Sequence, residues 1–329
     1  VSASVLFVSL DRDDDGQAVV GWAIDGDSET VEVAWGTRPE PDHHTQTLVV
    51  PAAAGTTSIG GLPAGPVFVS VSPSDGGTTR VAGMRNLDLV GPTNFRDLGG
   101  YRNSTGATVR WGRIFRSDAL IIPEEGYERF GALGIRTIFD LRSTMEVDST
   151  PDQLPPGDYD ARHLPLVGED AIRPDIMGVL DGEEFLSTLY AHILERSPQV
   201  FGTVIKAMAD ESNLPLVFHC AAGKDRAGLM AAVVLLALGV DEETILDDYE
   251  LTSQYRTSEQ ITSAAERMKE ASLVAAEAVA GLLRTPRWTM EKSLSFLKEN
   301  YGSVEEYLTG PAGVTRVELG RLRSLMLSD

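Results

Sequence analysis

One segment brings together residues whose types and spacing suit chemistry: His219-Cys220-Ala221-Ala222-Gly223-Lys224-Asp225-Arg226. A loop that leaves a strand and enters a helix turns successive backbone N–H groups inward and forms an anion-binding concavity. Gly223 permits the backbone angles that so tight a loop needs. Cys220 at its base faces those N–H dipoles and the helix N-terminus, and both favour the nucleophilic thiolate. Arg226 at the far end can close over the donors and hold two phosphate oxygens at once. The N–H groups of Ala221, Ala222 and Gly223 then stabilise the equatorial oxygens of a phosphoryl group in flight. Lys224 reads as a second cation at the pocket mouth, suited to a doubly phosphorylated or inositol-type head group. Its bland alternative is a solvated surface lysine. His219 is expected to be buried and to orient the loop by hydrogen bonding, since a thiolate needs no separate base.

Such a loop must be carried by a strand and a helix, and the flanking sequence supplies both. Leu214 to His219 is a short apolar strand, and Ala227 to Leu238 is an apolar helix stopped by Gly239. From about residue 89 onward, strands and helices alternate. Ile135 to Leu141 and Ala161 to Leu166 read as strands. Glu124 to Leu133, Phe185 to His192 and Gln199 to Ala209 read as helices. Asp241 can cap the helix after Gly239, and Thr315-Arg316-Val317-Glu318 announces the last helix as a capping box. This order predicts an α/β domain over 89–329, with a central, mostly parallel sheet flanked by helices.

Residues 1–88 differ in character. Apolar residues alternate in seven short runs, at Ser4 to Val8, Val19 to Ile24, Val31 to Trp35, Thr47 to Val50, Thr57 to Ile59, Val67 to Val71 and Thr79 to Ala82. Breakers such as Asp13-Asp14-Asp15-Gly16 separate them, which predicts a small all-β sandwich as an accessory module. Within it, Ile59-Gly60-Gly61-Leu62-Pro63-Ala64-Gly65 resembles the corresponding turn of fibronectin type III modules. His43-His44 lies in a Pro/Asp-rich loop, where adjacent side chains diverge and make an incidental pair.

The pattern His-Cys-x-x-Gly-x-x-Arg, after an apolar strand and before an apolar helix, resembles that of the cysteine-dependent protein tyrosine phosphatases. More narrowly, His219 to Arg226 is similar to the atypical bacterial branch of tyrosine/lipid phosphatases to which mycobacterial tyrosine phosphatase B belongs. Asn94-Phe95-Arg96-Asp97-Leu98-Gly99-Gly100-Tyr101 corresponds to that branch's N-terminal signature. Ile114 to Ser117, Asp140 to Ser143, Asp248-Tyr249, Tyr301 to Ser303 and Tyr307-Leu308 correspond as well. The resemblance implies a metal-free phosphatase without cofactors, acting on phosphotyrosyl protein, with phosphoserine/threonine and phosphoinositides accepted by some members. It also implies that Arg96 and Asp97 brace the loop as an ion pair. The general acid that protonates the leaving oxygen lies on a Trp-Pro-Asp loop in ordinary tyrosine phosphatases, and this chain has no such tripeptide. The resemblance points instead to Asp225, with Asp140 and Asp118 in reserve. The bland reading of those two is a carboxylate paired with Arg142 or Arg116. One departure stands out: Ala227 occupies the position where a hydroxyl residue usually helps the thiolate leave phosphate in the second step.

A net charge of −21 argues against nucleic acid or anionic lipid as a partner surface, so any anion site must be built from local donors. One cysteine in 329 residues excludes an internal disulfide. The longest apolar run, Leu229 to Leu238, is short of the ~20 residues that span a bilayer, so no membrane insertion is expected. No basic n-region precedes the first strand, which makes a cytoplasmic location the default expectation. Export by an unconventional route, or after removal of a signal, stays open. The five histidines show no metal-ligand spacing. Gly168 to Glu184, polar and glycine-containing, suits either a movable lid or a plain surface loop. Three rivals to a protein phosphatase remain at this level: a phosphoinositide phosphatase, a rhodanese-type sulfurtransferase and a phosphate-recognition protein without turnover. The sequence says nothing about oligomeric state.

Overall fold

The computed structural model describes residues 3–13, 15–62, 65–166, 182–255 and 286–328. The first eight strands are β1 (Ala3–Arg12), β2 (Ala18–Asp25), β3 (Thr30–Gly36), β4 (Gln46–Pro51), β5 (Thr56–Ile59), β6 (Phe68–Pro73), β7 (Gly77–Thr78) and β8 (Arg80–Gly83). They form two four-stranded sheets, β5-β2-β1-β7 and β4-β3-β6-β8. The run expected from Thr79 to Ala82 falls on β8, while the two-residue β7 before it lies outside every expected run; β7 pairs with β1 and β8 with β6, so the chain changes sheets at Thr79. Alternation, shifted by a β-bulge between Val5 and Phe7, sends Val5, Leu10, Val20 and Trp22 of one sheet and Val31, Val33, Val69 and Val71 of the other into one apolar cluster.

The chain leaving β8 runs alongside β9 (Arg96–Asp97), with Leu87 N–H donating to Phe95 O and Asp97 N–H to Arg85 O. Six further strands follow: β10 (Thr108–Val109), β11 (Ile114–Ser117), β12 (Thr137–Asp140), β13 (Asp160–His163), β14 (Leu216–His219) and β15 (Leu327–Ser328). Five strands make a sheet in the order β13-β12-β14-β11-β9. Its first four are parallel, while β9 is antiparallel to β11. The remaining two, β10 and β15, pair antiparallel near the C-terminus. The α-helices among the described residues are α1 (Tyr127–Ala132), α2 (Thr144–Ser149), α3 (Gly182–Arg196), α4 (Pro198–Met208), α5 (Arg226–Ala237), α6 (Glu242–Tyr255), α7 (Arg287–Tyr301), α8 (Val304–Thr309) and α9 (Arg316–Met326). The capping box at Thr315 and Glu318 opens α9, as its spacing predicts.

Strand β14 explains why the loop sits where it does. Leu216 and Phe218 enter one apolar cluster and Val217 another, so this strand is covered on both faces. With β12 on one side and β11 on the other, its C-terminal end opens at the middle of the sheet, where ligands of α/β folds bind. Met230, Val233 and Val234 of α5 pack into the cluster that holds Leu216 and Phe218, which fixes the helix against the strand that feeds it. Among the described residues no helix is long and apolar enough to cross a membrane. The expected lid, Gly168 to Glu184, falls largely outside the described residues.

Candidate active site

Cys220 lies at the end of β14, buried, with its N–H donating to Ser117 O. The carbonyls that follow are each taken up from outside the loop. Ala221 O accepts Ala119 N–H at 3.3 Å, Ala222 O accepts Asn94 Nδ2 at 3.0 Å, and Gly223 O accepts Arg116 Nη2 at 2.7 Å. A planar peptide presents its N–H on the side opposite its carbonyl, so these three contacts set the directions of the Ala222, Gly223 and Lys224 N–H groups. Gly223 has φ +66°, and a Cβ there would come within 2.6 Å of Asn94 Nδ2 and 2.7 Å of Asp118 N. Both the backbone angle and the space therefore demand glycine.

Arg226 opens α5 and forks onto Glu146 of α2, Nη1 to Oε2 at 2.5 Å and Nη2 to Oε1 at 2.7 Å. Glu146 also closes a capping box with Ser143. Burial alone would push its pKa up, but the hydrogen bonds and charge of Arg226 and the Ser143 contacts outweigh this and hold it at about 2. For Arg226 the balance is similar. Burial opposes its charge, and the hydrogen bonds and charge of Glu146, with Cys220 and Asp225 nearby, restore it beyond the ordinary guanidinium value. Glu146 carries no signal of this role in the sequence beyond the Ser-x-x-Glu capping pattern from Ser143.

The outer frame is a buried charge network. Asp248 of α6 accepts from Arg96 Nε at 3.1 Å, Arg116 Nη1 at 2.6 Å and Tyr101 Oη at 2.8 Å. Burial would raise its pKa, but the charges of Arg96 and Arg116 hold it well below the carboxylate range. Burial and the neighbouring Arg96 bring Arg116 down to about 10. Arg96 also donates to Asn94 Oδ1, which aims Asn94 Nδ2 at the loop. Arg96 thus braces the loop, though not through the expected ion pair with Asp97. Neighbours on a strand point to opposite faces, and the Asp97 carboxylate turns away to accept Gly99 N–H at 2.7 Å and Gly112 N–H at 2.6 Å.

The other expected residues fall into place as follows. Asp225 is the N-cap residue of α5 but makes no side-chain cap hydrogen bond. Its Oδ1 instead accepts Tyr190 Oη at 2.5 Å and lies 3.3 Å from Lys224 Nζ. Lys224 is only 1% exposed, so it is neither a solvated surface lysine nor at an open mouth. Asp118 accepts the N–H groups of Thr93 and Asn94, each at 3.2 Å, and ties down the turn carrying Asn94; it does not pair with Arg116. Asp140 is paired with Arg142, which also holds Asp152 at 2.7 Å. His219 is fully buried, as expected, but its ring makes no aligned hydrogen bond among the described residues; Nε2 lies 3.0 Å from Asp152 Oδ2. Asp140, Asp152 and His219 bring their ligand atoms within 4.8 Å of one another, a grouping the histidine spacing could not reveal. The guanidinium of Arg142 already supplies the positive charge between the two carboxylates. Ala227 is fully buried in the same cluster as Cys220.

The sequence profile of the tyrosine phosphatase family matches residues 87–328. A tyrosine-protein phosphatase of Cupriavidus necator is 29% identical over 268 residues, covering 79% of this chain and 94% of that protein. The triple specificity protein phosphatase PtpB of Mycobacterium tuberculosis is 27% identical over 295 residues, covering 74% of this chain and 100% of that protein. A tyrosine-protein phosphatase of Nostoc commune is 29% identical over 130 residues, 39% of this chain and 44% of that protein.

Proposed function

The chain belongs to the tyrosine phosphatase family, and we propose that it hydrolyses phosphotyrosyl protein in two steps through a phosphocysteine on Cys220. The observation that carries this reading is the outward tethering of the loop carbonyls by Ala119, Asn94 and Arg116, with Cys220 at the base. In the first step the Cys220 thiolate attacks phosphorus while the P–O bond to the leaving group breaks. Asp225 gives its proton to the departing oxygen. The loop N–H groups and Arg226 hold the phosphoryl oxygens, and Glu146 keeps the Arg226 fork aimed before substrate arrives. In the second step water attacks the phosphocysteine, returning thiolate, inorganic phosphate and protonated Asp225.

Similarity to a relative named for triple specificity supports a substrate range that extends to phosphoserine/threonine and phosphoinositides. Residues 1–88 are read as a fibronectin III-like accessory sandwich and 89–329 as the catalytic domain. The family profile beginning at residue 87 supports that division.

Turnover of para-nitrophenyl phosphate with chelator present, beside a Cys220→Ser variant, tests the mechanism. Chelator-resistant turnover that the variant loses is the expected result. Turnover retained by Cys220→Ser, or phosphate binding with no turnover in the parent, overturns it. Because Ala227 offers no hydroxyl to the leaving thiolate, the second step is expected to be slow. A first-turnover burst of nitrophenolate equal to the enzyme checks this, and a linear time course refutes it.

A further inference from the structure

Asparagine and aspartate at an N-cap ordinarily spend their side chain on the first turn of the helix. Asp225 does not, although it holds that position on α5. Its carboxylate is drawn sideways to a hydroxyl chain reaching in from two other helices. Tyr190 of α3 donates to Oδ1 at 2.5 Å, and Tyr249 of α6 lies 2.8 Å from Tyr190, hydroxyl to hydroxyl. Tyr190 has one proton, and it goes to Asp225, so Tyr249 donates to Tyr190. Both rings are buried and meet edge to face, 6.5 Å between centroids at 89°, which fixes the chain's direction. Burial and the Asp225 charge raise the Tyr190 hydroxyl well above its ordinary pKa, so it remains a donor.

We infer that Tyr190, steadied by Tyr249, is a positioning residue that makes Asp225 Oδ2 the oxygen delivering the proton to the leaving group. The argument rests on the reading of Asp225 as general acid. Tyr190 and the Lys224 ammonium both approach Oδ1. With the Tyr190 hydroxyl bonded to Oδ1 and the ammonium nearest the same oxygen, the transferable proton is left to Oδ2. When that proton passes to the leaving oxygen as the P–O bond breaks, the new negative charge is already met on Oδ1 by Tyr190 and Lys224, with no rearrangement. The same α6 that carries Tyr249 carries Asp248 beside it, so one helix steadies the loop backbone through Arg116 and the acid through Tyr190.

A positioning residue for an acid has a signature that a packing residue lacks: its loss matters only where the leaving group needs a proton. Tyr190→Phe, Tyr249→Phe and Asp225→Asn are assayed on phenyl phosphate and on 2,4-dinitrophenyl phosphate, whose leaving group departs unprotonated. Asp225→Asn is expected to lose about 10²-fold or more in kcat/KM, which reports the first step only, on phenyl phosphate alone. Tyr190→Phe is expected to lose about tenfold in kcat/KM on the same substrate, with the dinitrophenyl kcat/KM kept, and Tyr249→Phe less. If Asp225→Asn is selective while Tyr190→Phe slows both substrates equally, or neither, the inference falls and the acid stands. If Asp225→Asn is itself unselective, the reading of Asp225 falls and takes the inference with it. Tyr249→Phe, which leaves the Tyr190 bond in place, serves as the second measure should Tyr190→Phe fold poorly.

Discussion

Among the described residues, the two-sheet region before residue 84 buries no charged side chain, and Ser70 is its one buried hydroxyl. The region after it buries Arg96, Asp97, Arg116, Asp140, Arg142, His219, Lys224 and Asp248. The first region is held by apolar alternation, since Val31, Val33 and Trp35 on one strand and Val20 and Trp22 on another share a core that contains no ionised group. Removing charges from water costs several kcal/mol per ion unless each is closely paired. An apolar core is therefore the simpler way to hold a fold, and the buried ions need another explanation. Every one of those just named except Asp97 lies on the loop, beside it, or one contact away through Arg142 or Asp248. The difference teaches that desolvated charge in this molecule is spent on geometry. Asp248 holds Arg116 and Arg96, and these in turn fix the Gly223 carbonyl and the Asn94 amide that meets Ala222 O.

The sharpest way to break that comparison is Asp248→Asn. It leaves Arg96 and Arg116 buried beside a neutral group, so the expected loss is about 3–5 kcal/mol in unfolding free energy. Turnover should collapse along with it, because Gly223 O then loses a fixed donor. A urea midpoint and kcat both close to the parent's show the network to be incidental. The next largest effect is Leu10→Ala in the two-sheet core, expected to cost about 2–5 kcal/mol through the cavity it opens. Its kcat, measured well below the unfolding transition, should stay within about twofold of the parent's, as for distant independent sites. A tenfold drop there means that the two regions do not act separately.

The smallest effect concerns Glu146→Gln. Its carboxyl sits at about 2 in the folded chain, below the ordinary value of 4.5. A depressed carboxylate stabilises the fold above its unfolded pKa, and that contribution fades as pH falls through the folded pKa. The stability gap between parent and Glu146→Gln is thus full above about pH 5 and closes towards about pH 2. Its size is about 1 kcal/mol, reduced by solvent screening because the side chain is 35% exposed. Urea midpoints at pH 7 and pH 3 check the sign, and a gap that widens on acidification refutes it.

Much of this was legible in the chain itself. A period of two is a local property, so the strands up to Ile59, β6 and β8 could be read directly, whereas the two-residue β7 and the sheet change at Thr79 could not. The Cys220 to Arg226 spacing is likewise local, because one turn from strand to helix carries thiol, glycine and guanidinium within seven residues. The partners of those residues were not legible. Glu146 meets Arg226 from α2, Tyr190 meets Asp225 from α3, and Asp248 meets Arg116 from α6. Each pair joins elements far apart in sequence, and no pattern within one element records which face will meet which. Arg96 and Asp97 show the limit most plainly. As neighbours of opposite charge they invite an ion-pair reading, yet the strand they share sends them to opposite faces. Sequence alone determined the thiol, glycine and guanidinium of the proposed site and the strand and helix that present them, because those depend on spacing along one stretch of backbone. Tertiary structure alone decided which carboxylate steadies Arg226, which hydroxyl turns Asp225 and which charges hold the loop open. Those choices are made by packing between helices and sheet after the chain has closed on itself.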